Sequence, residues 1–415
     1  MAAILVPIAL ILLAAFVWLW PRDVPVATQP QIGQRVDGTV LAVHETPCPA
    51  APGGSPLLPT VCGTVDVGLD SGPDRGKQIG VDIPAGPGAP TVAAGDKVVL
   101  LLQPGGPVER AYQIIDHQRG RPLWILAAAF ALAVIAYGRI RGLTALAGLA
   151  LTFAVLLLFI VPSILDGRPP LLVAIVGSAA IMFTVLYLTH GVNPPTTVAL
   201  LGTLASLTLT GLLAAAATSI TKLTGIADEQ ASLLSIAHGQ VNMHGLLLAG
   251  ILIGALGVLD DVTVTQATTV SELAQANPEL GFAGLYQAAT RVGRAHIASV
   301  TNTIVLAYAG ASLPLLLLIS ASDRAVGDVL TNQLVAQEIV RSVVGTIGLI
   351  AAVPITTGLA ALAASRGRLG VRPPERLEPP PPPRGHPPGP RTPYDDDLYQ
   401  PPRPAPIDWG QQGVT

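Results

Sequence analysis

The sequence predicts an α-helical polytopic membrane protein of about eight transmembrane helices with a small extracytoplasmic β domain. Of the 415 residues, 50% are hydrophobic and 12% are charged, whereas soluble proteins carry about 25% charged residues. Apolar runs long enough to cross a bilayer recur along the chain. Between residues 21 and 121 the pattern changes to short β-type runs separated by Gly, Pro and Asp, which is typical of a compact β domain.

The chain divides into a first transmembrane helix (1–20), the β-rich insert (21–121), a seven-helix membrane domain (122–365) and a tail (366–415). The first apolar run ends in Trp18 and Trp20, residues that favour a membrane interface. We interpret it as an uncleaved anchor, because a signal peptide would carry a basic region and a small-residue cleavage site. The seven further spans are predicted at 123–137, 143–161, 171–188, 196–218, 245–264, 297–319 and 339–364.

Five runs of the insert have strand character: 35–43, 61–69, 78–83, 97–102 and 111–115. Five short strands favour a small barrel or sandwich, with an OB-like arrangement as one form. Aromatic residues are nearly absent from the insert, so a nucleic-acid partner is not expected. Cys48 and Cys62 are the two cysteines of the chain, and a disulfide between them is plausible if the insert lies outside the cytoplasm.

Arginine placement sets the expected orientation, because cytoplasmic loops are enriched in basic residues. An N-terminus inside the cell puts the arginines at 139–141, 291–294 and 366–372 in the cytoplasm and the insert outside. With eight spans, both termini are then cytoplasmic. The tail is rich in proline from residue 373 and is predicted to be disordered, since it cannot form a core.

The candidate site begins in residues 245–271, an apolar, glycine-rich helix pattern that runs into Asp260 and Asp261. A charge near the centre of a membrane helix costs roughly 2.5–3.5 kcal/mol on insertion scales, and less towards an interface. If only one of the two carboxylates points into a helix bundle, Asp261 is the predicted one. The alternative is that both lie at the interface as a hydrated helix end. Helical spacing places one set of small and polar residues on a single face: Gly250, Gly254, Gly257, Asp261, Thr265 and Thr268.

That face begins with a GxxxG pair, Gly250 and Gly254, which would let another helix approach closely. The next span opens with polar residues that the orientation places at the depth of the two carboxylates. An imidazole titrates near neutral pH, and carboxylates, amides and hydroxyls suit a proton or a hard cation better than a soft metal. The predicted polar cluster consists of Asp260, Asp261, Thr263, Thr265, His296, Asn302 and Thr303.

Three stretches carry a family resemblance: HGQVNMHGLLLAGILIGALGVLDDVTVTQATTVSEL (238–273), GRAHIASVTNTIVLAYAGASLPLLL (293–317) and VVGTIGLIAAVPITT (343–357). They resemble the YibE/F family of bacterial membrane proteins, over most of residues 1–365. The resemblance implies a multipass protein of the bacterial plasma (inner) membrane with a β-rich outer segment, and it brings no settled activity. It implies that Asp260, Asp261, His296, Asn302 and Thr303 are motif positions. The family tends to an acid where this chain has Ala295, which weakens any proposal that needs a second carboxylate beside His296.

We expect a transporter or permease for a small ion or solute that uses the polar cluster. The alternative is a cell-envelope scaffold or assembly protein that presents the β domain. The expected partners are the lipid bilayer and either a second copy of the chain or an envelope protein. An enzyme is not expected, because intramembrane aspartyl proteases need carboxylates on two helices and no HExxH, P-loop or GxSxG motif occurs in a credible context. No cofactor or metal is expected, since the spacing of His238 and His244 fits no zinc motif well.

Overall fold

The computed structural model describes residues 2–22, 33–48, 62–85, 88–103, 111–321 and 326–367. Within these ranges the protein contains one antiparallel sheet and a larger helical part. The proline-rich tail predicted from the sequence lies, from residue 368 on, outside the described residues.

The insert forms a small antiparallel sheet, as its β-type runs predict. Its strands are β1 (Gln34–Thr46), β2 (Cys62–Leu69), β3 (Gln78–Asp82), β4 (Lys97–Leu102) and β5 (Tyr112–His117), in the order β3-β2-β1-β4-β5. Alternate side chains of these strands form a core separate from that of the helices, with Val65, Val67 and Leu100 fully buried. A disulfide joins Cys48 to Cys62 and so connects the segment after β1 to the start of β2.

A tyrosine links the two edges of this sheet. The hydroxyl of Tyr112 on β5 donates a 2.7 Å hydrogen bond to Asp74, in the turn before β3, and β3 and β5 contact each other. Burial, and then the bond to Asp74, raise the pKa of Tyr112 to about 12. Hydrogen bonds from Lys77 and then from Tyr112 hold the pKa of Asp74 below its usual value.

The helical part is described in chain order. It consists of α1 (Ala2–Leu19), α2 (Gly120–Val155), a π-helical turn (Leu156–Ile160), α3 (Val161–Leu165), α4 (Pro170–His190), α5 (Pro194–Ile220), α6 (Glu229–Ala237), α7 (Met243–Ala276), α8 (Phe282–Ala311), α9 (Leu313–Ser320), α10 (Val326–Leu330) and α11 (Gln333–Ser365).

Among the described residues, five helical segments are long and apolar enough to cross a membrane: Gly120–Leu165, Pro170–His190, Pro194–Ile220, Met243–Ala276 and Gln333–Ser365. The count of eight spans stays a prediction. The first apolar helix, α1, has 18 residues, about 27 Å along its axis, and it is not among these five segments. The span predicted at 297–319 is divided between α8 and α9, because the helix is interrupted at Ser312.

Two of the predicted spans, 123–137 and 143–161, fall within the single segment Gly120–Leu165. Arg139 interrupts this segment with φ 50° and ψ −125°, outside the helical region. A Cβ on Gly142 would lie 2.9 Å from the carbonyl carbon of Val134, although eight residues of straight helix cover about 12 Å. The chain therefore turns back at Arg139, and the missing side chain of Gly142 permits the close approach.

Helices α5, α7 and α11 pack against one another at the centre of the helical part. Two glycines allow α5 and α11 to approach closely, because small residues bring backbones together. A Cβ on Gly202 of α5 would lie 3.0 Å from the Cβ of Thr356, and one on Gly348 of α11 would lie 3.0 Å from the Cβ of Thr210. These contacts fix which sides of α5 and α11 face the core.

Replacing Gly348 by alanine should destabilise the bundle, because the added methyl group would overlap the Thr210 side chain. Overpacking of this kind costs about 1–3 kcal/mol. Gly345→Ala is the matched control, since a Cβ there meets nothing within 4 Å and alanine favours a helix by about 1 kcal/mol over glycine. Thermal unfolding in nanodiscs should show a lower Tm for Gly348→Ala alone. Equal Tm values for both variants would contradict the close approach of α5 and α11.

The raised pKa of Tyr112 predicts a pH dependence of the sheet. A pKa near 12 in the folded state, against 10 for the free side chain, stabilises the sheet fully below about pH 10, and this stabilisation is lost as the pH rises towards 12. Tyr112→Phe removes both this dependence and the bond to Asp74. The absorbance of ionised tyrosine is measured for wild type and for Tyr112→Phe in the intact chain. The difference between the two should titrate near pH 12. A Tyr112 difference that titrates near pH 10 would contradict the hydrogen bond.

Candidate functional site

The two carboxylates of α7 lie well inside the helical bundle along its length. Helix α4 has 21 residues, about 31 Å, which matches the roughly 30 Å of a bilayer core. Its first residue, Pro170, contacts Gly245 of α7, and its last, His190, shares a cleft with Ser271. Asp260 is about 22 Å from Gly245 and about 16 Å from Ser271 along the helix axis. Along the axis of α7 the carboxylates therefore lie between the levels of the two ends of α4.

Burial separates the two carboxylates. One carboxyl oxygen of Asp260, Oδ1, is buried and has no hydrogen-bond partner within the described part of the chain. The side chain of Asp261 is 70% exposed. The expectation that Asp261 points into the bundle is therefore reversed. The cause is the packing of large side chains: Leu252 and Leu259 turn their side of α7 to the core, and Asp261 lies on the opposite side.

His296 of α8 lies beside Asp261. Its Nε2 lies 3.8 Å from Asp261 Oδ2, so the two residues expected to share a cluster are brought together from two helices. Tyr308, farther along α8, places its hydroxyl against Gly254 of α7. Since α8 contacts α7 at Gly254 with Tyr308 and at Asp261 with His296, the two helices run antiparallel.

The other members of the predicted cluster differ in their burial. Thr263 is fully buried, Thr265 is half-buried, and Asn302 and Thr303 are exposed on α8. Thr303 donates to the carbonyl of Ser299 on its own helix. Thr263 is therefore on the core side of α7, whereas Asn302 and Thr303 are on the outer surface of α8.

The predicted helix-packing face of Gly250, Gly254 and Gly257 does not receive a helix backbone. A Cβ on Gly250 or Gly257 would meet nothing within 4 Å, and one on Gly254 would meet only the Tyr308 hydroxyl. In the described chain the leucine-rich side of α7 packs against α5 and α11, and helix packing on the glycine face stays a prediction. Close approach between helices occurs instead at other glycines, among them Gly202 and Gly348. Gly293 of α8 is a further one, because an added Cβ there would lie 2.7 Å from Val353 Cγ1 and 2.8 Å from Gln266 Nε2.

A buried polar layer connects α7 with its neighbours. Thr263 Oγ1 lies 2.6 Å from Thr203 Oγ1 of α5 and 3.1 Å from the carbonyl oxygen of Asp260, to which its hydroxyl donates. One turn on, Gln266 Oε1 accepts a 2.9 Å hydrogen bond from Thr357 of α11. All four side chains of this layer are fully buried. This layer places hydrogen-bonding groups beside Asp260, inside the bundle.

Sequence reasoning missed the partners of this layer on α5 and α11. A signal was present on α5, where Thr203, Ser206 and Thr210 recur at helical spacing in an otherwise apolar span. Such a polar stripe in a membrane helix indicates a side that faces other helices. The stripe does not reveal which residues of α7 and α11 it meets.

A cleft of about 370 Å³ lies at one end of the bundle, between the end of α4, the start of α5 and the last turns of α7. The polar side chains in its wall include His190, Asn193, Thr268, Ser271, Glu272 and Gln275. At 100° per residue, Thr268 and Ser271 lie on the side of α7 that Asp260 and Asp261 share. The cleft and the carboxylates thus line one side of the same helix, about two to three turns apart.

The YibE/F-like protein family matches this sequence over residues 126–366. The chain belongs to the YibE/F-like family. The match spans more than half of the chain and includes α4 through α11, and therefore Asp260, Asp261, His296 and the buried polar layer. It begins after the sheet, so it does not include the β insert that the resemblance was expected to cover. No curated protein and no solved structure matches the chain.

The pairing of α7 with α8 in this YibE/F-like protein is testable by cross-linking. With Cys48 and Cys62 in a disulfide, Asp261→Cys together with His296→Cys should react efficiently with a short bifunctional thiol reagent in membranes. Thr268→Cys together with His296→Cys is the matched control, because Thr268 is about 10 Å farther along the same side of α7. Cross-linking in the control pair but not in the first would contradict the placement of His296 beside Asp261.

Proposed function

We propose that this YibE/F-like protein is a transporter or permease for a proton or small hard cation, with Asp260 as its central binding group. The observation that carries the proposal is a carboxyl oxygen of Asp260 that is buried in the central part of the span without a hydrogen-bond partner among the described residues. Ionisable groups at such positions mark ion pathways and proton relays, because burying them is costly. A bound proton or cation would satisfy this oxygen.

The neighbours of Asp260 fit the proposed role. Asp261 is adjacent, and His296 lies within 4 Å of it, so a proton or cation can move among three ionisable groups. Thr263 adds a hydroxyl at the next turn. Oxygen ligands favour hard cations, and an imidazole changes charge near neutral pH.

The proposed route runs along one side of α7. From Asp260 it passes Val264 and Thr268 and reaches the cleft lined by Ser271 and Glu272. Under the orientation that the arginines favour, this cleft opens to the cytoplasm and both termini are cytoplasmic. The turn at Arg139 then lies on the same side, which supports eight spans in the bacterial plasma membrane.

The proposed test is flux in sealed vesicles that contain the purified chain, with protons, Na⁺, K⁺, Mg²⁺ and Ca²⁺ as probes. We expect flux of at least one probe, with a loss of about tenfold or more for Asp260→Asn, since losing one charged ligand costs about 1.5–3 kcal/mol. Asp261→Asn should reduce flux less, because its side chain is exposed. Glu279→Gln, which removes an exposed carboxylate of the loop between α7 and α8, is the control. Absence of flux for every probe, or equal flux in wild type and Asp260→Asn, would contradict the proposal.

A second candidate function is an envelope scaffold, and the sheet favours it. The sheet buries its own core, and its strand order with β3 and β5 in contact supports an OB-like closure. In this case the polar layer would only hold helices together, at about 0.6–2 kcal/mol per contact. Pull-down from envelope extracts with the full chain and with a chain that lacks residues 21–121 tests the scaffold separately, and an unchanged partner set would remove its main support.

The same geometry supports binding rather than enzymatic catalysis. Asp260 and Asp261 are adjacent on one helix and the nearest ionisable residue on another helix is His296, whereas paired-carboxylate hydrolysis in a membrane needs carboxylates on two helices. We therefore propose no enzymatic activity for this site.

A further inference from the structure

A second cavity, of about 350 Å³, lies at the end of the bundle opposite the cleft. Its volume is in the range of small-molecule sites, about 300–1,000 Å³. Its walls are mostly aliphatic and come from α7, α11 and the end of the segment Gly120–Leu165, including Ile160, Leu246 and Ile253. Val161 and Gly250 line it and are exposed, so the cavity opens on the apolar outer surface of the bundle. Such a space suits an aliphatic chain.

Two hydrogen-bond donors of α11 line this cavity. Gln337 is only 7% exposed, and its Nε2 finds no acceptor among the described residues. Arg341, one turn later, also has a buried Nε without an acceptor there, while its Nη1 is held 3.3 Å from Glu338. Buried donors are normally hydrogen-bonded, so two unpartnered donors side by side in a cavity indicate a missing acceptor.

The charged residues at the cavity and its position along the bundle indicate which kind of acceptor it binds. Glu338 already neutralises Arg341, and Asp228 lines the cavity, so an anionic group would meet a carboxylate and an arginine whose charge is already balanced. A neutral oxygen acceptor fits better. The cavity includes Met243 and Leu246 of α7, next to Gly245, which contacts the first residue of α4. It therefore lies at the edge of the span, where the ester groups of membrane lipids begin.

We propose that this cavity holds an acyl chain of a membrane lipid, with its ester carbonyl oxygen accepting hydrogen bonds from Gln337 and Arg341. The aliphatic walls surround the first carbons of the chain, and the remainder leaves past Gly250 into the bilayer. The site is separate from the carboxylates of α7 and does not depend on transport.

The test uses lipids that differ only in linkage. The intact chain is purified and incubated with equal amounts of diester and diether lipid of the same headgroup and chain length, and the lipid retained is measured by native mass spectrometry. Wild type should retain the diester lipid in preference, because the diether lipid lacks the carbonyl acceptor. Gln337→Leu should reduce this preference about fivefold, the effect of one hydrogen bond, and Arg341→Met should also reduce it.

Thr346→Val is the matched control, since it removes another buried, unpartnered oxygen of α11 that does not line the cavity. It should leave the preference unchanged. Equal retention of both lipids by wild type would overturn the proposal, as would the same loss of preference in Thr346→Val and Gln337→Leu. A third arm adds oleate as the free acid. If stoichiometric oleate displaced the diester lipid, the preferred ligand would be a carboxylate rather than an ester. This result would also overturn the proposal.

Discussion

The close packing of α5, α7 and α11 is the constraint on which the rest of the helical structure depends. Glycines at 202 and 348 accept threonine side chains from the facing helix, and the leucines of α7 fill the remaining space. This packing fixes the rotation of α7 about its axis. A rotation that turns Leu259 to the core puts Asp260 on the flank and Asp261 on the outside, because neighbouring helix positions differ by about 100°.

The same rotation of α7 decides which of its polar atoms find a hydrogen-bond partner and which do not. Thr263 Oγ1 and Gln266 Oε1 face the core and pair with Thr203 and Thr357, whereas Gln266 Nε2 has no partner among the described residues. Asp260 lies beside them with a buried oxygen that finds no protein partner in the described chain. Burying a polar atom without a partner raises the free energy of the folded state. An exchangeable proton or ion bound at that atom would offset this increase. The second cavity presents the converse case. Its buried donors, Gln337 Nε2 and Arg341 Nε, lack an acceptor among the described residues.

The sheet and the helical bundle are two separate hydrophobic units. The sheet buries a core of its own and carries the disulfide, whereas the family match is confined to residues 126–366. The matched region contains the carboxylates, the buried layer and both cavities. The chemistry proposed for the membrane domain therefore rests on the part of the chain that defines the family, and any envelope partner of the sheet would be an addition to it.

The sequence by itself determined the membrane class, the β insert with its five strands, the family and the importance of residues 245–271. These follow from composition and from periodic patterns, which are local properties of the chain. Which of Asp260 and Asp261 is buried, which glycines bring helices together and which threonines meet could not be predicted, since α7 has small residues on one side and leucines on the other and either could face the core. Only the tertiary structure decided this, because close packing selects the side whose large side chains fill the space between three helices.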